Sequence, residues 1–218
     1  MTLKNNKVRA VVFIAVFIML FFLFSVLYKQ SSVRQMDVWV MKNIVGLHNS
    51  GLNSVFIALS NFASRPYQYA VYIFFSVIWI FAEKKWREPL VLGICIMGIR
   101  YGNHWLKNFY DRDRPAFHPV IEISGYSFPS GHAMISIAFF SMLSFLLVQN
   151  YSFMKRRKKL IYGLTGLFVF LVGFSRVYLG VHYPTDVLGG FFAGGTWLLV
   201  CILLYELLQK IKFGSNKH

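Results

Sequence analysis

Long apolar runs alternate with short clusters of basic residues along this chain. Six runs reach or approach the roughly 20 residues a helix needs to cross about 30 Å of hydrocarbon. They cover residues 9–28, 67–83, 89–110, 132–150, 160–178 and 185–209. The pattern predicts an all-α, polytopic membrane protein with six transmembrane helices, built as one domain over residues 1–218. Between the first two runs, Val33, Met36, Val40, Ile44 and Leu47 recur at helical spacing, and so do Leu52, Val55, Phe56, Leu59 and Phe62. These stripes predict two short amphipathic helices lying in the membrane interface; the alternative is an ordinary loop capping the bundle. The first run is long for a signal-peptide core, and no small-residue cleavage site follows it, so it is expected to be an uncleaved anchor.

Composition strengthens the membrane reading. Of 218 residues, 56% are hydrophobic and 14% charged, against about 45–50% and 25% in a soluble domain. The net charge of +15 would suit nucleic acid if it formed a stripe or face. It is instead parcelled between apolar runs, which argues against a nucleic-acid partner. Lys4, Lys7 and Arg9, then Lys84, Lys85 and Arg87, then the run Lys155 to Lys159, then Lys210, Lys212 and Lys217 all fall on one side of the bilayer. The positive-inside rule makes that side cytoplasmic, with both termini there. The loops near 29–66, 111–131 and 179–184 then face outward. Cys95 and Cys201 lie inside apolar runs without metal-ligand spacing and read as buried thiols. Gly190 and Gly194, flanked by Gly189 and Gly195, mark close helix packing.

Polar residues inside or beside a membrane are costly and point to function. Here they gather at the outward ends of the runs. Lys107 and Arg114 bracket KNFYDRDRP, two fixed cations suited to an anion; a charged interfacial loop is the plain alternative. Asp111 and Asp113, interleaved with Arg112 and Arg114, are expected to pair locally. Pro129, Ser130, Gly131 and His132 stand at the start of the fourth run. Free N–H groups there, with the helix dipole, favour an anion, though His132 could equally be structural. Finally His182 precedes Asp186 by four residues at the start of the sixth run, with Arg176 at the end of the fifth. A carboxylate so placed could fix the imidazole tautomer and raise the nucleophilicity of the other nitrogen, or the pair could simply cap a helix.

Taken together, these segments resemble the type 2 phosphatidic acid phosphatase superfamily in its integral-membrane branch. The three-part pattern K-x6-R-P, P-S-G-H and S-R-x5-H-x3-D is complete in Lys107, Arg114 and Pro115, in Pro129 to His132, and in Ser175, Arg176, His182 and Asp186. The resemblance implies that His182 attacks phosphorus and forms a phosphohistidine, that Asp186 orients it, and that His132 serves as the acid for the leaving oxygen. It implies that Lys107, Arg114, Ser130, Gly131 and Arg176 bind the phosphoryl group, with no metal and no cofactor. The expected substrate is a lipid phosphate or pyrophosphate at the outer leaflet: a polyprenyl pyrophosphate, phosphatidylglycerol phosphate or phosphatidic acid. A phosphotransferase using another acceptor, or a non-catalytic lipid-binding or transport protein, are the other readings of the same scaffold. By helical spacing, Arg100 and His104 share a stripe with Lys107 and are expected to line a substrate cleft, with structural hydrogen bonding as the alternative. Tyr126 and Phe128 flank the motifs and are expected to touch an acyl chain.

Overall fold

The computed structural model describes residues 3–116 and 119–211, and these form nine α-helices joined by short connections. They are α1 (Leu3–Leu27), α2 (Ser31–Val45), α3 (Ser50–Phe62), α4 (Arg65–Val77), α5 (Arg87–Tyr110), α6 (Gly131–Asn150), α7 (Ser152–Arg156), α8 (Lys158–Tyr178) and α9 (Pro184–Lys210). A π turn, Ile78–Ala82, continues α4. Of the basic residues used to orient the chain, Lys212, Lys217 and the Lys4 side chain lie outside the described part.

Helix ends follow local chemistry. Asn49 accepts the Leu52 N–H at 3.0 Å and caps α3. Pro66 and Pro184 sit in the first turns of α4 and α9, where the missing N–H costs nothing. At the start of α9, Asp186 accepts the Tyr183 N–H at 2.8 Å. Asp111 ends α5 in the left-handed region at φ 41°, a conformation that short polar side chains tolerate.

Among the described residues, four helices are long and apolar enough to cross a membrane: residues 7–27 of α1, then α6, α8 and α9. The runs expected at 67–83 and 89–110 are helical as α4 with its π turn and as α5. Both fall short of that standard. The α4 helix is only 13 residues long before the π turn, and α5 carries Arg100, Asn103, His104 and Lys107 on one face. The exterior is apolar: Phe13 and Met19 on α1, Phe74 and Phe81 around α4, and Leu164 and Phe170 on α8 are all exposed. A contiguous apolar surface of this extent is a lipid-facing one, since water would penalise it.

Helices α6 and α9 form the central pair, with α1 against α9, α8 against α6, and α5 bridging both. Close approach depends on two glycines one helical turn apart. A Cβ on Gly190 would lie 2.7 Å from the Ser130 carbonyl, and one on Gly194 would collide with the Met134 carbonyl. The core between α5, α6 and α9 is filled by Leu92, Ile96, Phe139, Met142 and Leu146 with Trp79 from the π turn.

The two short helices α2 and α3 are present, and their apolar stripes divide: Ile44 and Phe56 pack against the core, and other members face outward. Met36, Leu47, Leu52, Val55 and Phe62 are exposed, while Asp37 and Ser60 point inward and are buried. The two inward polar side chains meet charged groups: Asp37 accepts from Arg112 and Ser60 from Arg176. Gly194→Val is expected to destabilise the protein by about 1–3 kcal/mol through overpacking at the α6–α9 contact. Thermal unfolding in detergent, with Gly163→Val at an open position as control, checks this.

Candidate active site

Helix polarity brings the motif segments together. The C-terminal ends of α5 and α8 and the N-terminal ends of α6 and α9 meet at the same end of the bundle. Tyr28, just beyond α1, joins them there by donating to the Tyr110 carbonyl at 3.3 Å. The basic clusters at 84–87 and 155–159, and Lys210, sit at the opposite helix ends.

A cavity of about 650 Å³ opens at this junction. Lys107, Arg114, Gly131, His132, Arg176 and His182 all line it. Arg100, His104 and Tyr126 line it as well. Ser130 and Asp186 are fully buried just behind the wall. Phe128 does not reach the cavity, contrary to expectation. Its ring is fully buried in an aromatic cluster with Phe21, Tyr28 and Tyr110, and a Cβ on Gly189 would lie 2.5 Å from it. An aromatic side chain beside the motif found more contact inward than a lipid chain would offer.

His182 is 2% exposed and meets its surroundings through both ring nitrogens. Its Nδ1 lies 3.2 Å from Ser127 Oγ and 3.4 Å from Asp186 Oδ2. Its Nε2 lies 3.3 Å from Arg114 Nη1. A guanidinium only donates, so Nε2 is the acceptor and the proton resides on Nδ1. Ser127 in turn donates to Asp186 Oδ2, which leaves its oxygen free to accept from Nδ1–H. Burial, and then the nearby charges of Lys107, Arg114 and Arg176, hold the His182 imidazole well below the ordinary histidine range. Near neutral pH it is therefore uncharged, with a lone pair on Nε2 directed at the cationic side of the cavity.

Asp186 has no exposed surface and is fully satisfied. Besides Ser127 and the Tyr183 N–H, it accepts from Arg112 Nη1 at 2.6 Å. Arg112 also donates to Asp37 Oδ2 at 2.8 Å and Thr185 Oγ1 at 2.7 Å. Thr185 closes the ring by donating its hydroxyl to Asp37 Oδ2 at 2.5 Å. The guanidinium is stacked between Tyr28 and Tyr183, 4.5 and 4.2 Å from the ring centres. The local pairing expected of Asp111 and Asp113 is thus not where Arg112 finds its partners. Arg114 also turns elsewhere, donating to the carbonyls of Gly125 at 2.7 Å and Val181 at 2.8 Å.

The cations differ in what they have left to give. Lys107 donates to the carbonyls of Tyr126 and Ser127, holding the loop over the cavity. Arg176 is 1% exposed and gives Nη1 to Ser60 Oγ. Its Nε and Nη2, like Ser130 Oγ, have no hydrogen-bond partner among the described residues. Gly131 packs on Asn103, whose Oδ1 would sit 2.8 Å from a Cβ. A side chain here would displace the asparagine that donates to the Pro129 carbonyl at 3.3 Å. A buried guanidinium with two open donors, beside a neutral imidazole, is a receptor for a tetrahedral oxyanion. Among the described residues no three His, Cys, Asp or Glu side chains cluster as metal ligands.

Arg112, Ser127, Asp37, Thr185 and Ser60 were not legible as site residues. One signal was available for Asp37: it is the only carboxylate before Glu83.

Comparison with known proteins agrees with this architecture. Residues 88–210 match the PAP2 superfamily. The chain is 34% identical over 182 residues to phosphatidylglycerophosphatase B of Bacillus subtilis (strain 168), covering 84% of this chain and 88% of that one. It is 30% identical over 162 residues to undecaprenyl-diphosphatase BcrC of the same organism, covering 71% and 76%. The fold superposes on the crystal structure of a transmembrane PAP2 type phosphatidylglycerolphosphate phosphatase from Bacillus subtilis with a TM-score of 0.87, at 28% identity, over 92% of this chain and 98% of that one. The match over residues 88–210 and the likeness to these relatives, with the motif segments converging on one cavity, make this chain a member of the PAP2 superfamily.

Proposed function

We propose that this chain is a membrane lipid phosphatase that hydrolyses a lipid phosphate or pyrophosphate at the outer leaflet through a phosphohistidine on His182. The observation that carries this reading is the state of that imidazole. It is buried and neutral, with Nδ1 tied to Asp186 and Ser127 and Nε2 facing Arg114. The PAP2 relatives named above are phosphatases of lipid phosphates. Phosphatidylglycerol phosphate, a polyprenyl pyrophosphate and phosphatidic acid are the candidate substrates.

In the first step His182 Nε2 forms a bond to phosphorus as the bond to the leaving oxygen breaks. His132, on the cavity wall, gives that oxygen a proton. Charge on the phosphoryl oxygens is met by Arg176, Arg114 and Lys107, with Ser130 and the Gly131 backbone behind them. The imidazolium is stabilised by Asp186 through Nδ1–H. In the second step His132 takes a proton from water, whose oxygen attacks phosphorus; the P–N bond breaks and Nε2 regains its lone pair. The cations supply the neutralisation, so no metal is invoked.

The whole chain works as one six-span domain in this reading, with α4 and α5 as the second and third spans and α2 and α3 in the outer interface. Basic clusters at the far helix ends favour placing them in the cytoplasm and the cavity outside.

His182→Ala is expected to abolish phosphate release while leaving folding intact, and His132→Ala to cost roughly 10²–10⁴-fold in kcat. Full turnover by the His182 variant would falsify the mechanism, and activity lost to EDTA and restored by Mg²⁺ would remove its metal-free character. A pH profile tests the electrostatics. Protonation of His182 removes the nucleophile, so kcat/KM falls as pH drops through its pKa in the free enzyme. That pKa is held down in part by Lys107; Lys107→Gln is expected to move the acid limb upward on the same lipid, the substrate's own ionisation being common to both. Arg112→Gln leaves Asp37 and Asp186 buried without their shared counter-charge. It is expected to lower stability by about 3–5 kcal/mol, read by thermal unfolding.

A further inference from the structure

The cavity carries more positive charge than one phosphate can use. Its lining includes Arg65, Arg100, Lys107, Arg114 and Arg176, and no Asp or Glu. A phosphate monoester brings a charge of about −1.5 to −2 near neutral pH. Lys107, Arg114 and Arg176 already match it. Arg65 and Arg100 remain over, and neither forms an ion pair among the described residues.

These two arginines sit together, away from the phosphoryl pocket. Arg65 is in the first turn of α4 and within electrostatic reach of Arg100 on α5. Arg100 is two helical turns before Lys107, roughly 10 Å along the axis. His132 lies within electrostatic reach of Arg176, His182 and Arg100, and all four line the cavity. The second pair of cations is therefore displaced along α5 from Lys107 within the same cavity.

Arg100 is held rather than neutralised. Its Nη2 donates to Gln68 Oε1, and Gln68, 1% exposed, is fixed by donating to the Ala63 carbonyl at 2.7 Å. Its guanidinium lies 4.8 Å from the centre of the Tyr69 ring. Both partners are neutral. Its Nε is buried without a partner among the described residues. Arg100 is half-buried and Arg65 is exposed at the rim; a second like charge near a partly desolvated guanidinium is unfavourable, and an anion between them offsets it. A purely structural arginine here would be expected to face a carboxylate.

We propose that Arg65 and Arg100 form a second anion subsite that takes a negatively charged leaving group. The substrates favoured are then lipids carrying a second phosphoryl group beyond the one transferred. Two sources share that chemistry: the inner phosphate of a lipid pyrophosphate, and the phosphodiester of phosphatidylglycerol phosphate. Phosphatidic acid has no such group. The inference rests on the phosphatase reading above and deepens it.

Phosphate release from a lipid pyrophosphate, phosphatidylglycerol phosphate and phosphatidic acid, in identical mixed micelles, tests it for wild type, Arg100→Gln and Arg65→Gln. Both variants are expected to lose about 10–100-fold in kcat/KM on the lipid whose second phosphoryl the subsite holds, the range of a charge-assisted hydrogen bond. Selectivity over phosphatidic acid should fall about ten-fold or more, and Arg100→Lys should recover part of it. Which of the two doubly charged lipids suffers identifies the source. Equal losses on all three lipids, or selectivity within about two-fold of wild type, would overturn the subsite. Should Arg100→Gln not fold, Arg65→Gln carries the same comparison. A binding arm is independent of turnover: inorganic pyrophosphate should raise the melting temperature of purified protein more than orthophosphate does, and Arg100→Lys or Arg65→Gln should narrow that difference. If wild type turns over none of the lipids but this difference appears and narrows, the phosphatase reading falls and the subsite stands. If no such difference appears, the subsite falls.

Discussion

The Asp186 carboxylate has no exposed surface, and an isolated charge in such a place would be intolerable. It is tolerable because Arg112 brings a guanidinium to 2.6 Å and because Ser127 and the Tyr183 N–H fill its remaining lone pairs. Arg112 in turn is positioned by Asp37 and Thr185 and by two tyrosine rings. The consequence reaches well beyond one ion pair. Asp37 belongs to α2, Arg112 to the loop after α5, Ser127 to the loop before α6, and Thr185 and Asp186 to α9. Three stretches of chain, α2, the α5–α6 loop and α9, are joined through the Asp37–Arg112–Asp186 network, and its Asp186 end sets the tautomer of His182. Buried ionic networks are weak sources of stability but strong sources of arrangement when every member is satisfied.

Helix direction brings the cations to one end. Two helix starts, α6 and α9, and two helix ends, α5 and α8, converge on the cavity. The starts present positive dipole ends. The ends carry Lys107 and Arg176, cations that suit a helix C-terminus. The dipole ends therefore offset one another, and the positive charge of this bundle end comes from its side chains. The loop between α5 and α6 is held over it by Lys107 and Arg114 through backbone carbonyls. These two side chains organise the wall, whereas Arg176 keeps two donors open.

Much of this was legible from the sequence, and the parts that were not have a common cause. The long helices were readable because about 20 apolar residues in a row have few other uses. The motif residues Lys107, Arg114, His132, Arg176 and His182 were readable because their spacing is a pattern in one dimension. Arg112 and Ser127 were not, since their partners lie 74 and 59 residues away and nothing local distinguishes them. For α2 and α3 the apolar stripes account for the outward side chains of two amphipathic helices. The stripes say nothing of the inward face, where Asp37 and Ser60 bond site groups 75 and 116 residues away. Phe128 stands beside the motif in sequence but not in space, since its ring turns to the core and away from the cavity.

Helix α5 shows how site and span trade against each other. It has 24 residues, ample length to cross a bilayer. Its apolarity is diluted by the stripe that includes Arg100, Asn103, His104 and Lys107, and all four of these line the cavity. Its opposite face carries Gly98, Ile99, Gly102 and Leu106, which border an apolar pocket shared with α1 and α9. A helix that must present cations to a lipid headgroup cannot also be uniformly apolar. It is kept in place by neighbours that shield the stripe: Gln68 and Tyr69 from α4, and Gly131 and His132 from α6. The deficit in hydropathy along α5 is therefore the imprint of the site, and the depth to which its cations run sets how much negative charge a substrate must bring to be held.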